Sequence, residues 1–585
     1  MNQTDGFDCP GCAWPDPDEK RSFLAEYCEN GAKAFAEEAT TRRADAAFWA
    51  RHSIEELRGW SDHELGRSGR LTEPLVRRPG DTHYRPVGWD QALALAAGEL
   101  ARIRRTPDRA VFYTSGRTSN EAAFLYQLLV RRFGTNNLPD CSNMCHESSG
   151  LGLSETIGIG KGTVTLRDVE TARLIIVMGQ NPGTNHPRML TALQAAKRAG
   201  AVIVAVNPLP EAGLIAFRHP QHVRDMLGGA TRLADHWVRV RIGGDIAFLK
   251  GVMRELDEME RRAPATVFDR GFLELRTEGI DAFLADLRRH DWADLEAESG
   301  VDRATMRRVA ELVAERPELV VTWAMGLTQH RHGVANVREI VNLLLLRGAI
   351  GRPGAGACPV RGHSNVQGDR TVGICERPPA ALLEGLERTF GFTPPRDHGM
   401  DTVAAIEAME RGEVDVFLAM GGNWLSATPD TDRVAAGLAR CRLTVHVSTK
   451  PNRSHLVPGG TSLILPALGR SERDRQAGGE QFVSVENSMG IVHMSRGDRD
   501  PASEHLRSEP WIVAHLAAAM QQAGALSPVD RAGPLVSWFM GGANPGPLAF
   551  ILPMFLMLLV GAMLGGFAWA YARTRIAAEP GWEVR

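Results

Sequence analysis

The sequence predicts an α/β protein of several domains built on doubly wound parallel sheets, and three observations predict it. Six short apolar runs, at 110–113, 174–178, 201–206, 319–324, 414–420 and 443–447, each stop at small or polar residues. Helix-period stretches lie between several of them, as the crossovers of a parallel sheet require. Glycine and proline, 60 and 33 in 585 residues, follow no repeat and so suit many sharp loops rather than a fibre. Parallel sheets present ligand-contacting loops at the carboxyl ends of their strands, so six such ends point to a large phosphate-containing ligand.

The totals narrow the function classes. With 67 basic against 70 acidic residues and a net charge of -3, no overall field gathers nucleic acid, and no nucleic-acid partner is expected. Eight scattered cysteines do not make a disulfide framework; they fit a reducing compartment and metal or redox use. The amino terminus is acidic and proline-rich, and no apolar run follows Lys20-Arg21, so the bulk of the chain is expected in the cytoplasm. Residues 548–572 carry no charge and, at about 1.5 Å per helical residue, are long enough to cross a bilayer. Trp569 and Tyr571, with Arg573 and Arg575 beyond them, resemble interfacial anchors. The two readings are a membrane helix and a buried hairpin broken at Pro553. The arginines favour a cytoplasmic tail and the missing export signal a cytoplasmic main body; the second weighs more, so anchoring at the cytoplasmic face of the cell membrane is expected.

Taken in order, the chain opens with Cys9-Pro-Gly-Cys12, then Asp16 and Cys28. A C-x2-C turn brings two thiolates close enough to share an iron-sulfur cluster or a zinc ion. Asp16 is a candidate oxygen ligand, and unliganded surface thiols are the plain alternative. A helix follows from Trp89 to about Arg105, then the first buried strand and the loop 114–119, then a helix from Asn120 to Phe133. It leads to Cys145-His146, which pairs a soft metal ligand with an imidazole able to take a proton. Such a pair is also common as an ordinary buried cysteine beside a histidine. Between Val334 and Gly348, Val334, Val337, Val341, Leu344 and Leu345 share a helical face, and Arg338 lies about 40° from Val334 within that stripe. An arginine there needs an anion, either an internal carboxylate or a bound ligand. The segment from Gly351 to Gly356 and the run Val360-Arg-Gly-His-Ser-Asn-Val-Gln-Gly368 read as a glycine-rich polar holding loop, not as a core strand or helix.

These residues together resemble a known family. Cys9-Pro-Gly-Cys-Ala-Trp14, Cys28-Glu-Asn-Gly-Ala-Lys33, Gly134-Thr-Asn-Asn137 leading into Cys145-His146, Asn181-Pro, His186-Pro, Gly326-Leu-Thr-Gln329 leading to Val337-Arg338, the 360–368 run and Met420-Gly-Gly-Asn423 follow one another as in molybdopterin oxidoreductases. The likeness is to the formate dehydrogenase alpha-subunit type, the FdhF/YdeP group, over residues 9 to 515. It implies bis-molybdopterin guanine dinucleotide with Cys145 as molybdenum ligand, His146 as the adjacent histidine and Arg338 as the arginine that holds a small carboxylate such as formate. It implies cofactor contacts from Asn181, His186, Asn207, Arg361, Gln367, Gly368, Gly421 and Asn423. It also implies a [4Fe-4S] cluster on Cys9, Cys12 and Cys28, with Asp16 where the family has its third cysteine and Asn30 where a lysine is common. The family's β-rich carboxyl-terminal domain is not matched after about Met520.

The resemblance divides the chain into an iron-sulfur region (1–70), a discontinuous cofactor-binding α/β domain (71–145 with 339–515), a second such domain (146–338), a Gly/Pro-rich linker (516–547), a transmembrane helix (548–572) and a tail (573–585). The implied activity is two-electron oxidation or reduction of a small anionic substrate: Arg338 orients it, His146 takes the proton, and electrons leave through the iron-sulfur cluster to an unidentified electron-transfer partner. A truncated or fused membrane-anchored cofactor-binding protein without turnover is the alternative. A zinc hydrolase is a third reading, for which no three-ligand spacing with a general base is present.

Overall fold

The computed structural model describes residues 1–17, 21–22, 25–476 and 478–526, with the dipeptide 574–575. In chain order the strands that position the site are β1 (Leu75–Arg77), β2 (Arg85–Pro86), β3 (Ala110–Thr114), β4 (Leu174–Met178), β5 (Val202–Val206), β6 (His236–Val238), β7 (Leu319–Trp323), β8 (Gly356–Pro359), β9 (Val416–Met420), β10 (Leu443–Ser448) and β11 (Thr461–Pro466). They make two sheets. The first runs β2-β1-β11-β10-β9-β3, antiparallel only where β1 meets β2 and β11; the second, β8-β7-β4-β5-β6, is parallel throughout. The expected doubly wound α/β architecture is therefore observed, with the six apolar runs shared equally between the sheets. Strands β3, β4, β7 and β9 are buried at every residue, which is why they read as unbroken apolar runs rather than alternating ones.

Helices cover both faces of each sheet. The helices used below are α1 (Asn120–Phe133), α2 (Glu147–Ile157), α3 (Asp245–Arg262), α4 (Gly333–Leu346), α5 (Val366–Thr371) and α6 (Glu509–Gln522). On the first sheet, Ala123, Leu129 and Phe133 of α1 and Ile512 and Leu516 of α6 pack against Phe112, Leu418 and Val445. On the second, Phe248 and Val252 of α3 and Val337, Val341 and Leu344 of α4 pack against Ile176, Val204 and Val321. Helix α2 crosses α4 closely: a Cβ placed on Gly152 would stand 2.8 Å from the Val337 Cβ, so only glycine admits this approach.

Three expectations change. The segment 351–368 is not all holding loop: Gly356–Pro359 is a fully buried strand and Val366 opens α5. Small residues make this possible, because a Cβ on Gly356 would overlap Thr163 and Val164. Since β8 still pairs with β7, the chain returns to the first sheet after Pro359, and position 338 falls inside α4 rather than at a boundary. The stretch from 516 is not linker at its start, for α6 continues to Gln522 with Leu516 and Met520 buried. Among the described residues no helix is long and apolar enough to cross a membrane, and the span expected at 548–572 lies outside them, as do most of the linker and tail.

Candidate active site

Two clefts open at the carboxyl ends of the strands, one for each sheet. The first, about 480 Å³, is lined by Arg117 after β3, Gly421, Gly422 and Asn423 after β9, Ser448 at the end of β10 and Lys450 beyond it. The second, about 450 Å³, is lined by Gly179, Gln180 and Asn181 after β4, Met325 and Gly326 after β7, Gly362 and His363 after β8, and by His146 and His186. Arg117 borders both. Gly179, Gly421 and Gly422 have φ of 54°, 72° and 79°, a left-handed turn that glycine takes without strain and that leaves backbone facing the cleft.

Cys145 ends a short helix, Cys141–Met144, and Thr328 Oγ1 donates to its carbonyl at 2.6 Å. Gly362 lies against the thiol: a Cβ there would stand 3.2 Å from Cys145 Sγ. Burial pushes the thiol up to about 11, opposed by the Gly362 backbone N–H and by Arg361. His146 is buried, its Nδ1 2.9 Å from Ser149 Oγ, and its Nε2 has no hydrogen-bond partner. Burial, then the charges of Arg361 and His186, hold its pKa well below the usual histidine range, so the ring is neutral at pH 7. Arg361 is 5% exposed. It donates from Nη1 to the His146 carbonyl at 3.1 Å and from Nη2 to the Gly160 carbonyl at 2.8 Å, while its own carbonyl accepts from His186 Nε2 at 2.9 Å. Among the described residues no carboxylate lies within ion-pair distance of it, and burial brings its pKa down to about 10.

Arg338 is elsewhere. It sits on the rim of α4, where the crossing with α2 places Glu155 beside it, and its Nε donates to Glu155 Oε2 at 2.9 Å. The resemblance implied a substrate anion as partner of Arg338; the structure sets the carboxylate of Glu155 against it instead. The structure gathers Cys145, His146 and Arg361 instead.

The remaining expected contacts divide into free and engaged groups. His186 lines the second cleft with an unpartnered Nδ1, and burial lowers its pKa to about 4. Asn181 lines the same cleft, donating to Glu211 at 2.5 Å and capping a short turn. Gly421 and Asn423 line the first cleft, where Asn423 Oδ1 accepts from Ser454 Oγ at 3.0 Å. Asn207 is consumed by Gln180, accepting from its N–H at 3.0 Å and donating to its carbonyl at 2.9 Å, and so pins two strand ends together. Gln367 donates to Glu486 at 2.9 Å with its Oε1 unpartnered, and Gly368 lets α5 press against Asn120 and Asn365.

Cys9, Cys12 and Cys28 line the outer end of the second cleft. A Cβ on Gly31 would stand 3.0 Å from Cys9 Sγ and 3.8 Å from Cys28 Sγ, and the N–H groups of Gly11 and Gly31 point at these two sulfurs at 3.4 Å. Asp16 does not stand free beside them. Its Oδ1 accepts from Arg188 Nη1 at 2.5 Å, and the same guanidinium holds the carbonyls of Trp14 and Pro15 at 2.8 and 2.9 Å. His363 joins the two regions: its backbone bridges to Cys12, and its Nδ1 lies 3.0 Å from Cys141 Sγ. The pairings of Cys141 with His363, Asp16 with Arg188, and Ser149 with Trp323 had no sequence signal, since each joins residues far apart in the chain.

A family model described as molybdopterin oxidoreductase matches residues 70–455. The chain belongs to the molybdopterin oxidoreductase family. This oxidoreductase is 57% identical over 531 residues to an uncharacterized oxidoreductase of Mycobacterium tuberculosis, covering 91% of this chain and 68% of that protein. It is 48% identical over 524 residues to protein YdeP of Escherichia coli, covering 89% and 69%. Acetylene hydratase from Pelobacter acetylenicus has the same fold, with a TM-score of 0.61 over 84% of this chain and 66% of that one, at 16% identity. Family membership implies a molybdenum-pterin cofactor. The residues present fit one: unpartnered buried polar atoms are rare in folded proteins, yet His146 Nε2, His186 Nδ1, Arg361 Nε and Gln367 Oε1 are all of this kind.

Proposed function

We propose that this oxidoreductase moves an electron pair between a small anionic substrate and a molybdenum-pterin centre ligated by Cys145, in the manner of a formate dehydrogenase. Arg361 carries the proposal. A guanidinium buried without a carboxylate partner among the described residues, beside a buried thiol and a neutral imidazole, suits an anion that arrives from outside. The cofactor, when bound, supplies the two-electron acceptor. The chain does the rest. Arg361 draws in and orients the anion by charge-assisted contact, Cys145 offers its sulfur, and His146 adds a neutral polar group beside them. Two clefts of similar size at the two sheet edges support the bis-molybdopterin guanine dinucleotide form, one dinucleotide to each.

Cys9, Cys12 and Cys28 support an iron-sulfur cluster through which electrons leave singly; Asp16 holds Arg188 with Oδ1, while its Oδ2 makes no hydrogen bond among the described residues. Attachment to the membrane through residues 548–572 belongs to the same proposal; removal of residues 527–585 then moves the protein from the membrane pellet to the supernatant.

The test is formate-dependent dye reduction in variants that keep their molybdenum. Arg361→Ala loses about a hundredfold or more in kcat/KM and Arg361→Lys retains part of it, whereas Arg338→Ala stays within about threefold of the parent. Full turnover in Arg361→Ala contradicts the proposal.

A further inference from the structure

We propose that Ser149 and Trp323 are positioning residues that hold His146 in the tautomer with its hydrogen on Nε2, so that His146 meets the substrate anion as a hydrogen-bond donor. The inference rests on the proposed role of Cys145, His146 and Arg361 and deepens it.

Three side chains stand in a row. Trp323 Nε1 is 2.9 Å from Ser149 Oγ, and Ser149 Oγ is 2.9 Å from His146 Nδ1. All are buried, Ser149 and Trp323 with no exposed surface and His146 with 1%, so water does not offer substitute partners. An indole nitrogen only donates, which fixes the first link: Ser149 Oγ accepts from Trp323. The serine has one hydrogen of its own to place. One turn back, the Cys145 carbonyl already receives the Thr328 hydroxyl at 2.6 Å. Among the described residues the acceptor that remains at hydrogen-bond distance is His146 Nδ1. That nitrogen therefore offers its lone pair, and the ring carries its hydrogen on Nε2. The opposite arrangement, Nδ1–H pointing at Ser149, would load two donors onto one oxygen and leave the buried hydroxyl hydrogen unmet.

Nε2 has no partner among the described residues and belongs to a ring that lines the second cleft, next to Arg361. The guanidinium and the imidazole N–H then form a set of donors, which suits a carboxylate or another small oxyanion. This role differs from the proton acceptor that the Cys-His step suggested by residue type alone. Trp323 closes β7, and Ser149 lies in the first turn of α2, so the second sheet and the helix after the cysteine together set the orientation. Neither residue touches the cleft itself.

Histidine-selective 15N labelling of deuterated holoenzyme tests this, with the His146 signal identified by its loss in His146→Gln. Two-bond proton–nitrogen correlations distinguish the two tautomers directly. The parent is expected to show the Nε2–H pattern alone, and Ser149→Ala and Trp323→Phe to lose that single pattern to a mixture. An Nδ1–H pattern in the parent overturns the proposal whether or not the variants fold, and an unchanged Nε2–H pattern in both folded variants overturns the role of Ser149 and Trp323. Preparations without molybdenum would defeat the functional reading, while the tautomer is still read from the same spectrum.

Discussion

Arg338 and Arg361 carry the same charge, and their surroundings separate them. A helical wheel placed Arg338 in an apolar stripe, but the wheel cannot show that α2 brings Glu155 to the edge of that stripe. Arg361 stood in a run that looked like loop, and its burial beside Cys145 follows from β8 ending just before it. Cys145 and His146 were legible because their adjacency is local; Ser149, Trp323 and His363 were not, because their contacts are made across the fold. Gly362 limits the space beside the Cys145 thiol. Its backbone conformation accepts a side chain, but a Cβ would press on Cys145 Sγ from 3.2 Å, so Gly362→Ala is expected to lower molybdenum retention and activity by about tenfold without unfolding the protein. A second test concerns His446, buried in β10 away from the clefts, whose pKa burial lowers to about 4. The unfolded chain binds this proton below about pH 6.5 and the folded chain does not, so the stability it protects is whole above 6.5 and is lost as pH falls toward 4. By pH 5 the loss is about 2 kcal/mol. His446→Gln removes it, and thermal scans should show a smaller drop in Tm from pH 7 to pH 5 than in the parent.

At the scale of elements, the strand-end loops make the site, and glycine sets how closely they meet. The loops after β4 and β7 touch backbone to backbone: a Cβ on Gly326 would stand 2.5 Å from the Gly179 carbonyl oxygen, and one on Gly179 would overlap Leu327. Gly179 also needs its φ of 54°. Gly179→Ala is therefore expected to cost about 2 kcal/mol or more and to pry the second cleft open, measured as a lower Tm together with weaker cofactor retention. The six central strands were readable because a strand buried on both faces is apolar throughout. Strand β8 was hidden, since Gly-Ala-Cys-Pro carries no such run and is a strand only because Thr163 and Val164 leave no room for larger residues. The short strands β1, β2 and β6 were missed for want of length. Their pairing partners, not their own residues, decide them.

For the whole molecule, the carboxyl edges of the two sheets are lined by separate clefts, and the cysteines of the amino terminus line the second. The bridge between Cys12 and His363 ties that terminus to the loop that carries Arg361 and Gly362. The spacing of Cys9, Cys12 and Cys28 was visible from the start, whereas the pairing of Asp16 with Arg188 spans 172 residues and was not. Asp16→Ala is expected to destabilise the protein by about 3–5 kcal/mol, as loss of one member of a buried pair does, and to leave the iron content unchanged. Cys12→Ser is expected to lose the iron. Iron lost with Asp16 would instead make that carboxylate a ligand. Metal analysis and molybdenum X-ray absorption of the parent and Cys145→Ser show whether Cys145 holds molybdenum. Stoichiometric molybdenum is expected in the parent, with fewer sulfur neighbours around it in the variant; a parent without molybdenum, or a variant with the same sulfur shell, rules out ligation by Cys145.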